Sequence, residues 1–141
     1  MKPTIVFDST GIELRLTKIQ RSLPQMIDRA LIQTAIEGAS LIADRTKSGV
    51  SYSGGAFKPY SSRYRLFRIK KGAKTSPVDL NLTGKMMGSM ASSKVSRGVA
   101  KIYFTRGKEA KKAAFNDKMR PFFGFNRQEQ GRLQNFFERR I

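Results

Sequence analysis

A basic segment near the middle of the chain carries side chains that can bind anions. Its six cations lie between residues 63 and 74 and are Arg63, Arg65, Arg68, Lys70, Lys71 and Lys74. Interleaved with them are Tyr64, Leu66, Phe67 and Ile69. Cations of this kind neutralise phosphates, and aromatic rings stack on nucleic-acid bases. We therefore predict that this segment faces a negatively charged neighbour, either DNA or an acidic protein surface.

The whole chain is strongly basic. Its 141 residues include 28 Lys and Arg against 10 Asp and Glu, which gives a net charge of +18. Residues 1–60 hold 8 basic and 5 acidic side chains, whereas residues 61–141 hold 20 basic and 5 acidic ones. Because self-repulsion of this size opposes a compact state, an anionic neighbour is expected. Nucleic acid, an acidic protein surface and an anionic membrane are the candidates from charge alone.

Side chains that perform most enzymatic chemistry are missing. The chain has no Cys and no His, so it lacks thiol nucleophiles, disulfides and the commonest general base and metal ligand. Its ten acidic residues are scattered, without a spacing typical of a metal cluster or an acid/base pair. We predict no enzyme activity, no catalytic or metal site and no cofactor. No apolar run approaches the roughly 20 residues of a membrane span, and we expect folding in a cytoplasm without membrane association.

The N-terminal half is predicted to contain β-structure and one long helix. Residues 4–7 predict a strand, followed by a turn at residues 8–11. Residues 12–21 fit either a strand or a short helix, because apolar alternation and helical spacing both occur there. A proline in the first turn and apolar residues at three- and four-residue steps predict a helix from Pro24 to Thr46.

The C-terminal half is predicted to alternate short helices and strands. A loop rich in glycine and serine covers residues 47–62, and the basic segment after it fits a helix, a strand or a mobile loop. The later predictions are a helix at 85–90, a hairpin of 92–96 with 99–105, a helix at 108–116 and a strand at 120–125. Asn126, with Glu129 three residues later, predicts a capping box at the start of a last helix.

Two groups of residues are assigned either to the core or to a subunit interface. They are Ala35, Gly38 and Ala39 of the long helix, and Phe122, Phe123 and Phe125 of the strand predicted at 120–125. Small helical side chains let another backbone approach closely. Alternation along a strand would put Phe123 and Phe125 on one side and Phe122 on the other. An apolar side chain on that second side requires a partner, from this chain or from another.

Three segments, in this order, resemble motifs of one protein family. They are Gly55–Ser61 with its glycine, aromatic, proline and tyrosine, Leu80–Met87 with its leucine-threonine-glycine element, and Arg120–Phe125 with its arginine-proline-aromatic-glycine pattern. The family is the phage virion morphogenesis group, which includes tail completion and head–tail joining proteins. Its members often carry a histidine-glutamine-x-glycine stretch before the third motif, whereas this chain has residues 115–117, Phe-Asn-Asp, in that region.

The resemblance covers residues 24–140 and implies a single domain over residues 1–141. Together with the predicted elements, it implies an α+β fold in which a long helix and shorter helices pack on a small antiparallel β-sheet. An extended basic loop or arm is expected at about 47–78. The implied function is structural: a homo-oligomer, expected as a hexameric ring, at the head-proximal end of a phage tail. The implied partners are tail tube and head connector proteins, with possible non-specific contact with phage DNA. The implied location is the tail or neck of the virion, after assembly in the host cytoplasm.

A second function stays open from the residues alone. A stand-alone nucleic-acid-binding protein would use the basic segment to track phosphates, while Tyr64 and Phe67 stack on bases. No recognised nucleic-acid-reading motif accompanies the segment. Salt dependence of DNA binding and the tendency to assemble rings distinguish the two functions.

Overall fold

Helices cover an antiparallel sheet in the computed structural model, which describes residues 3–8, 11–16 and 24–141. The sheet order is β1-β2-β4-β3, where β1 is Pro3–Asp8, β2 Gly11–Leu16, β3 Met90–Ser96 and β4 Val99–Phe104. The helices are α1 Pro24–Lys47, α2 Ser62–Lys70, α3 Lys85–Gly88, α4 Gly107–Met119 and α5 Arg127–Glu138. The predicted α+β fold, with a long helix and shorter helices on an antiparallel sheet, is confirmed.

The core begins at the two central strands. Ile12 of β2 is paired with Ile102 of β4, and Leu14 is paired with Ala100. All four side chains are buried, because residues two apart along a strand point to the same face of the sheet. Helix α1 packs across β3 and β4 on this face and also contacts α5. Burial of this apolar face is the main source of stability for the sheet.

The small residues of α1 lie in the core. Ala35 and Gly38 are buried, and Ala39 packs against the core while partly exposed. A Cβ added to Gly38 would lie 2.8 Å from Cζ of Phe125 and 3.2 Å from Cδ1 of Ile102. Glycine at this position therefore lets the Phe125 ring press against the helix backbone. Of the two predicted roles, core packing accounts for these residues.

Most predicted elements agree with the structure. Residues 11–16 form a strand, which decides between the two alternatives for that part of the chain. The helix predicted from Pro24 to Thr46 ends one residue later, and the hairpin turns at residues 97–98 as expected. The capping box is present, since Asn126 and Glu129 each accept a hydrogen bond from the other's backbone N–H. Residues 9–10 of the predicted turn, and residues 17–21, lie outside the described residues.

The strand predicted at residues 120–125 is wrong. This segment has no strand partner, and side chains satisfy its backbone groups instead. The Asp117 carboxylate accepts the N–H groups of Phe122 and Phe123 at 3.1 and 2.9 Å. The Arg45 guanidinium donates to the carbonyls of Phe122 and Gly124. The Tyr52 N–H also donates to the Pro121 carbonyl at 3.2 Å, and Pro121 has no N–H, so these groups are satisfied without a strand ladder.

The basic segment is helical from Ser62 to Lys70, one of the three conformations that its sequence fits. Ser61 caps α2, its hydroxyl oxygen accepting the N–H of Tyr64 at 3.2 Å. Within residues 47–78, Phe57, Tyr60 and Val78 are buried against the body of the domain. Helix α2 therefore lies within the loop predicted at about 47–78, and buried side chains on both sides of the helix attach this loop to the core.

One ion pair between α1 and the β3–β4 hairpin predicts a pH effect. Asp28 accepts hydrogen bonds from Lys94 Nζ and from the Gly98 N–H, each at 2.8 Å. Burial acts to raise the pKa of Asp28, but these hydrogen bonds, with the charges of Lys94 and Arg97, hold that pKa below its ordinary value. The charged carboxylate therefore stabilises the fold above about pH 4, and this contribution is lost as the pH falls through the lowered pKa.

We expect Asp28→Asn to lower the free energy of unfolding by about 0.5–1.5 kcal/mol at pH 7, since Lys94 is half exposed and the pair is partly solvated. The difference from the wild type should be smaller at pH 3 than at pH 7. Urea denaturation at both pH values measures it. An equal difference at both would show that the charge of Asp28 is not what stabilises the hairpin.

Candidate interaction surface

Arg120 joins the first and third of the motifs that resemble the phage family. Its Nε donates to the carbonyl of Lys58 at 2.7 Å, and its Nη2 donates to the carbonyl of Pro59 at 2.9 Å. Its guanidinium also lies 5.1 Å from the centroid of the Tyr60 ring. The side chain is buried, and its planar fork matches the two carbonyls. Arg120 thus fixes the loop before α2 to the segment after α4.

Tyr60 joins the second motif to the same cluster. Its hydroxyl oxygen accepts the Leu80 N–H at 3.0 Å, and burial raises the pKa of Tyr60, so the phenol stays neutral at physiological pH. The third motif also contacts the loop through Gly124. A Cβ there would lie 2.6 Å from Cε1 of Tyr52, so glycine is required for this close approach. The three motifs, which are distant in the sequence, therefore form one contact cluster.

Arg68 is buried, which corrects its assignment to a partner-facing surface. Only 1% of the residue is exposed. Its Nε donates to the Lys74 carbonyl at 2.6 Å, and its Nη2 donates to the Asn81 carbonyl at 2.9 Å and lies 3.3 Å from Asp79 Oδ1. The guanidinium lies 4.7 Å from the Tyr60 ring centroid. Arg68 therefore ties residues 74–81 to α2, and it is not available to DNA or to another protein.

The other five predicted cations are exposed, and they share the surface with apolar side chains. They are Arg63, Arg65, Lys70, Lys71 and Lys74. Leu66 is 63% exposed and Ile69 is 61% exposed, although both belong to a well-formed helix. At about 100° per residue, Leu66, Lys70 and Arg63 lie on the side of α2 roughly opposite the buried Arg68, and Ile69 lies at the edge of this side, about 100° from Arg68. These four residues are called the outer face of α2.

A groove lies beside α2, with a volume of about 470 Å³. Its walls come from the start of α2, residues 80–84, α3 and α4. Most of its lining is apolar and includes Tyr64, Leu82, Met87, Phe115 and Met119. Phe115 is 66% exposed, an unusual position for a phenylalanine that has no partner. The groove is therefore a second surface, besides the outer face of α2, at which apolar side chains contact solvent.

Glu109 is the acidic residue of this groove. It lies in the first turn of α4 and is 3% exposed. Its Oε1 lies 3.6 Å from Lys112 Nζ, whereas its Oε2 is buried without a hydrogen-bond partner. A buried carboxylate oxygen without a partner is costly, since its hydration is lost without replacement. No sequence signal pointed to Glu109, because its isolated position in a lysine-rich helix resembles an ordinary surface carboxylate.

The residues assigned to a core or an interface belong to the core. Phe122 and Phe125 are buried, and Phe123 packs against the core while partly exposed. The Phe104 ring centroid lies 6.4 Å from that of Phe122 and 5.0 Å from that of Phe123. The structure therefore places Phe122 and Phe123 in one aromatic group. A strand would have put the Phe122 and Phe123 side chains on opposite faces, as the sequence analysis predicted, so this part of the prediction is wrong as well.

Arg45 is a structural residue that the sequence analysis missed. Its Nη1 donates to both carboxylate oxygens of Glu129, at 2.7 Å for Oε2, and its Nη2 donates to the Gly124 carbonyl at 3.0 Å. The pair joins the end of α1 to the start of α5. A single arginine near a helix end gives no sequence signal for a partner 84 residues away.

The described residues contain no group of three or more acidic side chains that could hold a metal ion. Among the helices of residues 24–141, none is long and apolar enough to cross a membrane. No family model, curated protein or solved structure matches the chain. The family resemblance therefore rests on the three motifs alone.

The fork geometry of Arg120 gives a testable expectation. Arg120→Lys keeps the charge but cannot donate to both loop carbonyls from one planar group. We expect the free energy of unfolding to fall by about 1–3 kcal/mol, because the buried side chain at position 120 no longer makes both hydrogen bonds to the loop carbonyls. Arg106→Lys, at an exposed arginine, is the matched control. Equal stability of the two variants in urea denaturation would contradict the assigned role of Arg120.

Proposed function

We propose that the chain is a structural virion protein of a tailed bacteriophage. Its role is that of a tail completion, terminator or head–tail joining component, forming a homo-oligomeric ring at the head-proximal end of the tail. One observation carries the proposal. The three motifs that resemble the phage family meet at Arg120, Tyr60 and Leu80, so they form one structural unit with the groove beside it.

The surface supports a protein that works by association. Leu66 and Ile69 on α2, and Phe115 in the groove, expose apolar area at separate places. A monomer gains nothing from such exposure, whereas subunit contacts would bury it. The positive excess suits a ring that meets acidic rings above and below and surrounds DNA during ejection. The proposal assigns no catalytic residue and no cofactor to the chain.

Within this proposal, the partners are tail tube and head connector proteins in the virion. The exposed cations of α2 and the segment after it, such as Arg63, Arg65 and Lys71, are the residues assigned to the acidic neighbour. Phage DNA in the lumen is the second anion available to them. Assembly takes place in the host cytoplasm before the tail or neck is complete.

Purified virions test this proposal. We expect quantitative mass spectrometry to find the chain in a fixed copy number per particle. Gold-labelled antibody should mark the head-proximal end of the tail. Absence of the chain from virions purified by density gradient, or labelling restricted to another part of the particle, would contradict the proposal.

A stand-alone nucleic-acid-binding protein is the second candidate function. It is favoured by the Tyr64 and Phe67 rings, which stack with centroids 5.8 Å apart beside exposed cations. Such a protein would bind duplex DNA with sub-micromolar affinity at physiological salt and lose affinity steeply as salt rises. The same protein would be absent from virions, so the two measurements separate the candidates.

A further inference from the structure

We infer that the outer face of α2 docks onto an acidic surface of a different protein, and that neither DNA nor a second copy of the chain covers it. The inference rests on the proposed virion role and deepens it, because it names the class of neighbour that this face meets. It follows from the local charge, from the apolar side chains beside that charge, and from the scarcity of exposed acids on the rest of the described chain.

The cations around α2 are not neutralised by the chain itself. Residues 62–74 contain six Lys and Arg and no Asp or Glu. Arg68 is paired with Asp79, and the ion pairs of the described residues include none of the other five cations, which are all exposed. A positive surface of this kind favours an anionic partner, since opposite potentials attract and orient two docking surfaces.

Apolar side chains on the same side of the helix distinguish a protein partner from DNA. At about 100° per residue, Arg63 and Lys70 lie along one line of α2, two turns apart, with Leu66 on one side of this line and Phe67 on the other. Leu66 is 63% exposed, Phe67 is 43% exposed, and Ile69, beyond Leu66, is 61% exposed. Contacts with phosphates would leave these side chains in water, whereas a protein surface can bury them. The partner therefore presents carboxylates beside apolar side chains.

The same arrangement disfavours an anionic membrane. Helices that lie in a bilayer surface have a continuous apolar face, and their cations belong to the opposite, polar face. On α2 the line of Arg63 and Lys70 separates Phe67 from Leu66, so insertion of both apolar side chains would carry both cations toward the acyl chains. A protein surface avoids this, because its carboxylates can lie opposite the two cations.

A second copy of the chain is a poor source of the acidic surface. Among the acidic side chains that the structure describes, only Asp44 and Glu138 are exposed. Glu138 directly precedes the exposed Arg139 and Arg140, which outweigh its charge, and Asp44 is a single carboxylate. Contacts between copies would therefore use other surfaces. The outer face of α2 is left for a chemically different neighbour, such as a ring that lies above or below the proposed one.

Photo-cross-linking identifies what the outer face of α2 contacts. Leu66 is replaced by p-benzoylphenylalanine, and both the cells that make the chain and the purified particles are irradiated. We expect mass spectrometry to find the chain joined to one different protein, at a peptide rich in Asp and Glu. The same replacement at Val95, which is exposed on β3, is the control for random contact and should not yield this product.

Charge reversal tests the complementarity. Arg63→Glu with Lys70→Glu should lower the yield of this product about tenfold or more, because both cations are replaced by charges of the partner's own sign. Arg132→Glu with Arg139→Glu is the matched control, since these two arginines of α5 are exposed and also two turns apart, and it should leave the yield unchanged. Lysine in place of the partner's cross-linked carboxylates should restore the product with the first double variant. Equal yields from the two double variants would overturn the inference.

The outcomes separate this inference from the proposed function. Cross-links to DNA, to lipid or to a second copy overturn the docking inference and leave the virion role in place. A yield at position 66 no higher than at position 95, in particles that contain the chain, does the same. Absence of the chain from purified particles overturns the proposed function. The docking inference then stands only if the cells that make the chain yield the acidic cross-link with its charge dependence, and it falls if they do not.

Discussion

Replacing Arg68 by methionine will lower the free energy of unfolding by about 3–5 kcal/mol. The guanidinium donates to the carbonyls of Lys74 and Asn81 and is close to Asp79, and it lies against the Tyr60 ring. Methionine fills similar space but has no donor, so the carbonyls of Lys74 and Asn81 and the Asp79 carboxylate lose the donor that the buried Arg68 supplied. Residues 74–81 would then separate from α2. Urea denaturation followed by circular dichroism measures the loss.

Arg65→Met is the matched control for Arg68→Met. Arg65 belongs to the same helix but is exposed, so its replacement should change stability by no more than about 0.5 kcal/mol. If the two variants unfold at the same urea concentration, Arg68 does not hold the segment after α2.

The burial of Arg68 also means that removing all six cations of the basic segment would change folding and binding in the same variant. Surface function is better tested with Arg63, Arg65 and Lys71.

Phe122→Ala will lower the free energy of unfolding by about 3–5 kcal/mol. The side chain is fully buried, and its ring packs beside Phe104 in the group below the irregular segment 120–125. Alanine leaves a cavity that the fixed backbone cannot close, because Asp117 and Arg45 hold it by hydrogen bonds. Thermal denaturation and urea denaturation should both report the loss.

Phe115→Ala provides the comparison for Phe122→Ala. Phe115 is 66% exposed, so its truncation should leave the free energy of unfolding nearly unchanged. An unchanged melting temperature for Phe122→Ala would contradict its place in the core. Destabilisation of the monomer by Phe115→Ala, equal to that of Phe122→Ala, would contradict the exposure of Phe115.

Local signals in the sequence predicted most of the elements. The long helix could be predicted because Pro24 begins it and apolar residues recur every three or four residues as far as Ile42. The last helix was readable from the capping pair Asn126 and Glu129. Each of these signals involves residues within a few positions of one another, so no tertiary information was needed.

Tertiary contacts decided the elements that the sequence did not predict correctly. Alternating phenylalanines suggested a strand at 120–125, but Asp117 and Arg45 bind its backbone from outside the segment. Arg68 looked like one of six equivalent cations until folding placed it against Tyr60. Glu109 could not be recognised as a buried carboxylate, because its burial depends on the folded chain. Pairings across the chain determine all three.

The contrast between local sequence signals and tertiary contacts also applies to the candidate interaction surface. Composition indicated a negative neighbour, and five of the six predicted cations are in fact exposed. The sequence did not show that apolar Leu66 and Ile69 share their face of the helix, or that a groove with a carboxylate lies beside it. The structure therefore adds exposed apolar side chains to the general electrostatic expectation.

The proposed structural role predicts that a phage carries the gene, and deletion of the gene from that phage tests the proposal most directly. Electron micrographs of the lysate should show filled heads and separate tails, and a copy of the gene supplied in trans should restore joined particles. Separate tails of normal length indicate a joining role, and tails of uncontrolled length indicate a terminating role. Normal virions at wild-type titre from the deleted phage would contradict the account.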